Sequence, residues 1–283
     1  MAKKRRKRIV CPNCNTQLKE VMNFCSNCGQ ENHIRRVTVL MILSDFSKTY
    51  FTFDSKLINS LKYLITKPSF LTTEYLKGKI ESYFRPIRMY IFISFVFFLL
   101  QGITESNTKF DNFDELKNEN LIVLNDHYEK AKKQNIDNGF FQKKMVEIFS
   151  NRKDLKAFYT FVMSKLPIFI FFLIPVFGGV LYLFFYNKDS YYVDHLVFAI
   201  HIQSFLFVLL ILNQLIDLLF NFDSIVPCAL IFLIYGFIAS LKFYKLSKVK
   251  TFFRLVYSGV LLFLISLTSF FGFFLILVKY YNI

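Results

Sequence analysis

Charge is scarce in this 283-residue chain. Asp, Glu, Lys and Arg make up 19% of it, against roughly 25% in soluble globular proteins. Six prolines and nine glycines exclude a collagen-like repeat, and a 54% hydrophobic content excludes a disordered chain. Five cysteines are too few for a disulfide scaffold of this length. The chain carries no G-x-S-x-G, no P-loop, no H-E-x-x-H and no paired intramembrane aspartates, so it offers no recognised catalytic signature. What it has instead is apolar length, 38 phenylalanines, and an excess of base that gives a formal charge of +15.

A helix needs about 17–25 mostly apolar residues to cross a bilayer. Five stretches reach or approach that length: residues 87–103, 166–186, 196–212 (running on towards 220), 226–241 (extending through Phe243 and Tyr244) and 255–278. Almost no amphipathic helix separates the last four, which argues against buried helices of a soluble core. The basic run Lys3–Arg8 is followed by cysteines and not by the apolar stretch of a signal peptide, so the N-terminal region is read as retained.

The short loops orient the spans. Residues 242–254 carry Lys242, Lys245, Lys248, Lys250 and Arg254 and no acid, which places them in the cytoplasm. Alternation puts 187–194 inside, 104–165 outside, the N-terminus inside and the C-terminus outside. Independently, residues 1–88 hold 17 Lys/Arg against 6 Asp/Glu. The expected fold is an all-α polytopic membrane protein, a five-helix bundle with N-in/C-out topology, in the cytoplasmic (inner) membrane. Four regions follow: a basic tail 1–10, a cysteine module 11–33, cytoplasmic amphipathic or interfacial helices 34–86, and a membrane domain 87–283 with an outside helical loop 104–165. In that loop 113–134 and 141–165 read as helices. No internal duplication is visible.

Cys11-Pro12-Asn13-Cys14 and Cys25-Ser26-Asn27-Cys28 are two C-x-x-C pairs separated by ten residues. Four thiolates suit tetrahedral zinc. Gly29 follows the second pair and fits a tight knuckle. A cytoplasmic site opposes structural disulfides, and a redox motif needs one pair in a βαβ setting. The expectation is a zinc ribbon with one structural Zn2+ held by Cys11, Cys14, Cys25 and Cys28, leaving no vacancy for His33. Cys228 stands alone in the fourth span and reads as a small apolar residue.

Between ribbon and membrane, Leu57, Ile58, Leu61, Leu64 and Ile65 recur at helical spacing, and Pro68 ends that helix. Ser69 or Thr72 can cap the next helix and Gly78 can close it. Pro86 suits the first turn of the first span. These helices either pack on one another or lie among headgroups, with Lys77, Lys79, Arg85 and Arg88 towards phosphate.

Inside the membrane, the third span opens with Asp194, His195, His201 and Gln203 and ends with Asn213, Gln214 and Asp217. Asp194 and His201 are seven apart and share a face, expected to point into the bundle; His195 and His201 are six apart and diverge by about 120°. Such residues serve either as interhelical glue or as a proton, ion or ligand path. Pro175 and Gly178-Gly179 are read as kinking the second span.

The chain resembles the bacterial membrane-protein family described as domain of unknown function 3667. The resemblance rests on Phe24–Gln30 of the ribbon, on Thr66-Lys67-Pro68, Glu74–Lys79 and Tyr83-Phe84-Arg85-Pro86, and on Val193–His201. The chain has Asp194 where the family pattern has Glu and Gln203 where it has His, so no metal role carries over to that patch. The family has no assigned activity. The leading functional reading is a scaffold whose ribbon and basic helices meet a cytoplasmic protein and anionic lipid headgroups. The alternative is a small-solute or ion transporter or channel using the third span. An enzyme ranks below both, and a nucleic-acid binder is weakest, because the ribbon offers only Phe24 for base stacking.

Overall fold

The computed structural model describes residues 8–19, 22–32, 55–108, 141, 144, 145, 148, 152–220, 222 and 224–281. Most of the basic run Lys3–Arg8, His33 and the expected helix 113–134 lie outside the described residues. The helices follow the apolar pattern: α1 Ser55–Thr66, α2 Phe70–Leu76, α3 Pro86–Thr108, α4 Arg152–Phe185, α5 Tyr192–Phe220, α6 Ile225–Tyr244 and α7 Lys248–Tyr280. The last five are long and apolar enough to cross a membrane, which makes this a multi-pass membrane protein.

Two helices exceed their expected spans. α4 has 34 residues and α7 has 33, each about 50 Å at 1.5 Å per residue, against a hydrocarbon core of about 30 Å. α4 absorbs the expected helix from 152 onwards and runs through Pro167 and Pro175 without interruption, as neighbours in a membrane can compensate the freed backbone groups. The glycines expected to kink it have another use. A Cβ on Gly178 would lie 3.0 Å from Leu196 Cα and 3.3 Å from Leu196 Cβ, so glycine lets α4 and α5 approach backbone to backbone. Tyr192 Oη donates to the Pro175 carbonyl oxygen at 2.9 Å beside that contact.

The chain divides into two compact units, Met1–Phe97 with Ile174–Gly259, and Phe98–Leu173 with Val260–Ile283. In the first, α5 is the hub. In its apolar window 67% of residues are buried, against 28% or less in the other membrane-length helices. α6 packs antiparallel to it, with Phe198 stacked on Phe243 and Phe205 on Tyr235. In the second unit, Phe158 and Val162 of α4 pack with Leu277, Val278 and Tyr281 at the end of α7, and Phe169 stacks on Phe273 at 4.9 Å between centroids.

α1 and α2 form a hairpin against the hub. Pro68 ends α1, and Ser69 turns the chain at φ +66°. Ser69 caps α2 only through its backbone: its carbonyl accepts the N–H and hydroxyl of Thr73, both at 3.0 Å. Gly78 closes α2 at φ +97°, its N–H donating to the Tyr75 carbonyl at 2.9 Å. Leu57 and Leu64 are buried, whereas Ile58 and Ile65, on the same α1, are 71% and 48% exposed. α6, with 20 residues, is about 30 Å long, as thick as the hydrocarbon core. Tyr235, near its middle, donates its hydroxyl to the Leu64 carbonyl at 2.5 Å, occupying one of the acceptors that every helix end leaves unpaired. The hairpin turn therefore reaches well along the membrane-length helices and does not rest only at their ends.

The close approach at Gly178 is testable. Gly178→Ala should cost about 1–3 kcal/mol through overpacking and lower the thermal midpoint in detergent. Gly236→Ala, whose Cβ meets nothing within 4 Å, should be neutral or gain up to about 1 kcal/mol of helix propensity.

Candidate functional site

The cysteine module is one turn made twice. Cys11 N–H donates to the Thr16 carbonyl at 2.9 Å and Asn15 N–H to the Cys11 carbonyl at 2.9 Å. Fourteen residues on, Cys25 N–H donates to the Gln30 carbonyl at 2.7 Å and Gly29 N–H to the Cys25 carbonyl at 2.9 Å. The flanking bridges repeat as well, Val10 with Gln17 and Phe24 with Glu31. Gly29 is left-handed at φ +72°, as its place after the second pair suggests, but Asn15 fills the equivalent position at φ +60°. Asn tolerates that conformation better than most residues. This duplication escaped the sequence reading, although Asn13/Asn27 and both Cys pairs keep the same offset.

The repeat brings the four sulfurs within 4.8 Å of one another. Cys11 and Cys28 Sγ are 3.6 Å apart, and Cys14 and Cys25 Sγ 3.5 Å. A tetrahedron with metal–sulfur bonds of ~2.3 Å has edges of ~3.8 Å, so the thiols already stand near ligand spacing. All are free cysteines, and a donor set of four thiols fits zinc and closes its coordination shell. Burial pushes the Cys11 thiol up to about 12, so a cation is what would ionise it. The Thr16 hydroxyl, 3.1 Å from Cys14 Sγ, lowers the Cys14 thiol to about 6. Asn27 Nδ2 donates to Thr16 Oγ1 at 3.2 Å, which leaves the hydroxyl proton for the sulfur. The module thus holds one ready thiolate beside a buried thiol.

The ribbon sits on the segment between α2 and α3. Gln30 Oε1 accepts the Glu81 N–H at 3.3 Å, and Asn13 Oδ1 accepts the Ser82 hydroxyl at 2.5 Å. Gly78 lies against the Arg8 guanidinium and Pro12. Ser60 of α1 holds the same segment by accepting the Phe84 N–H at 2.8 Å. Most of the basic residues here are paired. Lys77 and Lys79 both bond the buried Glu74, Lys77 at 3.0 Å, while Arg85 meets Glu81 at 3.0 Å. Burial raises the Glu74 carboxyl, but the hydrogen bonds from Lys79 and Lys77 outweigh it and hold it below the ordinary carboxylate value. Lys77 remains 62% exposed. Arg88 is half-buried in the first turn of α3.

On α5 the polar residues go to separate neighbours. His195 Nδ1 pairs with Tyr244 Oη at 3.0 Å, and its ring stacks with Tyr244 and meets Tyr182 edge-on. His201 Nδ1 pairs with Thr72 Oγ1 at 2.9 Å, both residues buried. Asp194 is half-buried in the first turn of α5 and accepts the Tyr191 N–H at 2.9 Å. Gln203 Oε1 and Gln214 Oε1 are buried with no hydrogen-bond partner among the described residues. Cys228 Sγ lies 3.7 Å from the Leu209 carbonyl. Sequence reading missed Thr16, Thr72, Tyr235 and Tyr244; their partners are distant in the chain except for Cys14, two residues before Thr16.

Two measurements probe these arrangements. Zinc-loaded protein should resist alkylation at Cys11, Cys14, Cys25 and Cys28, and chelation should expose all four, because the module loses its fold with the ion. At the α2–α5 contact, Thr72→Val and His201→Leu should each cost about 1–3 kcal/mol by orphaning a buried partner, while the double variant should cost clearly less than their sum.

No curated protein and no solved structure matches the chain. Residues 10–31 match a zinc-ribbon domain, and residues 54–98, the hairpin that carries the ribbon together with the start of α3, match the family described as protein of unknown function (DUF3667).

Proposed function

We propose that this chain is a scaffold of the bacterial cytoplasmic (inner) membrane, oriented N-in/C-out. Its zinc ribbon and basic hairpin form a cytoplasmic platform for a protein partner and anionic lipid headgroups. The observation that carries the reading is the docking of the ribbon on residues 78–84. A ribbon held there by Gln30, Asn13 and Arg8 is fixed to the membrane-length helices and can present a partner surface at a set place. One structural Zn2+ on Cys11, Cys14, Cys25 and Cys28 would supply much of the module's folding energy, as is usual for so small a domain. Lys77, Lys79, Arg85 and Arg88, partly neutralised by Glu74 and Glu81, keep donor capacity towards phosphate, and exposed Ile58 and Ile65 suit an apolar neighbour. On this reading 1–10 is a basic tail, 11–33 the ribbon, 34–86 the platform and 87–283 the anchor with its outside loop 104–165.

The α5 contacts favour anchoring over transport, because His195 and His201 are bonded to other helices. The transport alternative draws its support from Gln203 and Gln214, whose buried amide oxygens have no partner among the described residues and would line a polar path.

The test is crosslinking and pull-down from native membranes with the full chain, with Cys14→Ser/Cys28→Ser and with residues 1–33 deleted. The full chain should bind about one equivalent of zinc and capture a partner that both altered forms lose. A cysteine introduced at Asn120 should label with an impermeant reagent in intact cells. An unchanged partner set sinks the scaffold, and a protected Asn120→Cys sinks the orientation.

A further inference from the structure

A cavity of about 490 Å3 opens where α4 and α6 end and α5 and α7 begin, within the roughly 300–1,000 Å3 range of small-molecule sites. It belongs entirely to the first compact unit. Its walls combine Leu76, Phe185 and Leu246 with Asp189, Ser190, Asp194, His195, Tyr244 and Arg254. Groups of both charge signs therefore face one small space. His195 is 1% exposed, and its Nε2 has no hydrogen-bond partner among the described residues. With Nδ1 committed to Tyr244, either tautomer leaves Nε2 one hydrogen bond to make, and a buried polar atom left so is costly.

The position selects the kind of ligand. The ends of four membrane-length helices converge here, so the cavity lies at headgroup depth. The lining then selects among headgroups. A purely anionic headgroup would meet Arg254 but also two carboxylates. A choline group prefers aromatic faces and has no N–H to give a carboxylate; Phe185 is stacked on Tyr244 at 4.1 Å, and the Arg254 guanidinium lies 5.9 Å from the Phe185 centroid, which leaves Tyr186 as the exposed ring of the lining. A primary ammonium joined to a phosphate satisfies both signs, donating to Asp189 and Asp194 while the phosphate accepts from Arg254.

We propose that this cavity binds the phosphoethanolamine headgroup of a membrane lipid. Asp189 and Asp194 take the ammonium, and Arg254 takes the phosphate. The site is separate from the ribbon platform and stands whether or not that platform has a protein partner.

The experiment uses the full chain in detergent, with lipid retention read by native mass spectrometry. Phosphatidylethanolamine, phosphatidylglycerol and phosphatidylcholine of identical acyl chains are offered at equal concentration. Phosphatidylethanolamine should be retained about tenfold over the other two, the ratio expected for one or two charge-assisted hydrogen bonds. Asp189→Asn should remove most of that preference, and Arg254→Gln should lower retention of all three lipids, since each carries the phosphate, while metal content stays unchanged in both. Asp189 is exposed in the α4–α5 loop, so its variant keeps the test valid should Arg254→Gln fail to fold. Equal retention of the three lipids, or a preference that persists in a folded Asp189→Asn protein, overturns the proposal. Soluble glycerophosphoethanolamine at matched concentration separates the sources: weak retention supports a lipid, and retention equal to the lipid's overturns the lipid assignment in favour of a free phosphate ester.

Discussion

A polar side chain inside a bilayer has no water to fall back on, so it must find its partner in protein. That constraint organises the first unit. α5 carries two histidines near its start, and each is met by a hydroxyl from a different helix: Tyr244 of α6 for His195, and Thr72 of α2 for His201. The two rings diverge around the helix, so their partners stand on different sides of it. Once both are seated, α6 and the α1–α2 hairpin have fixed places beside α5. Gly178 then brings α4 close to the same helix. The span that carries these histidines is the most buried for this reason, although apolar content alone would not rank it as the centre.

The hairpin shows how local chemistry and distant contacts divide the labour. Pro68, the left-handed Ser69 and Gly78 shape it from within, and all three are local features of the sequence. Its depth along α6 comes instead from Tyr235, 171 residues from the Leu64 carbonyl it bonds. The buried Glu74 shows the same division: spacing within one turn pairs it with Lys77, the turn at Gly78 returns Lys79 to it, and tertiary packing buries the carboxylate, so that losing its partners would strand a costly charge.

These contrasts explain what could be read from the sequence. The five membrane-length helices were legible because bilayer thickness dictates the length of apolar runs. The cysteine cluster was legible because metal geometry dictates ligand spacing. α2 was placed in chain but not in space, since Thr72 looks like an ordinary capping residue until His201 lies beside it. The lengths of α4 and α7 were underread for a related reason: charged residues near their ends mark where apolar character stops, which need not be where the backbone stops being helical. Pro175 and the following glycines suggest a kink because their chemistry permits one; α4 stays helical through them, and α5 uses the missing Cβ of Gly178.

The duplicated knuckle has a mechanical consequence. Its halves are related by a fourteen-residue shift, and each contributes two sulfurs, one at either end of its turn. The sulfur pairs Cys11 with Cys28 and Cys14 with Cys25, at 3.6 and 3.5 Å, both cross from one half to the other. An ion among them would act as the pin of a clasp, loaded equally by two jaws of the same shape. Such a clasp has no weaker jaw at which to begin opening. It would come apart as a whole, and with it would go Asn13 and Gln30, one from each jaw, by which the ribbon grips the membrane-side segment.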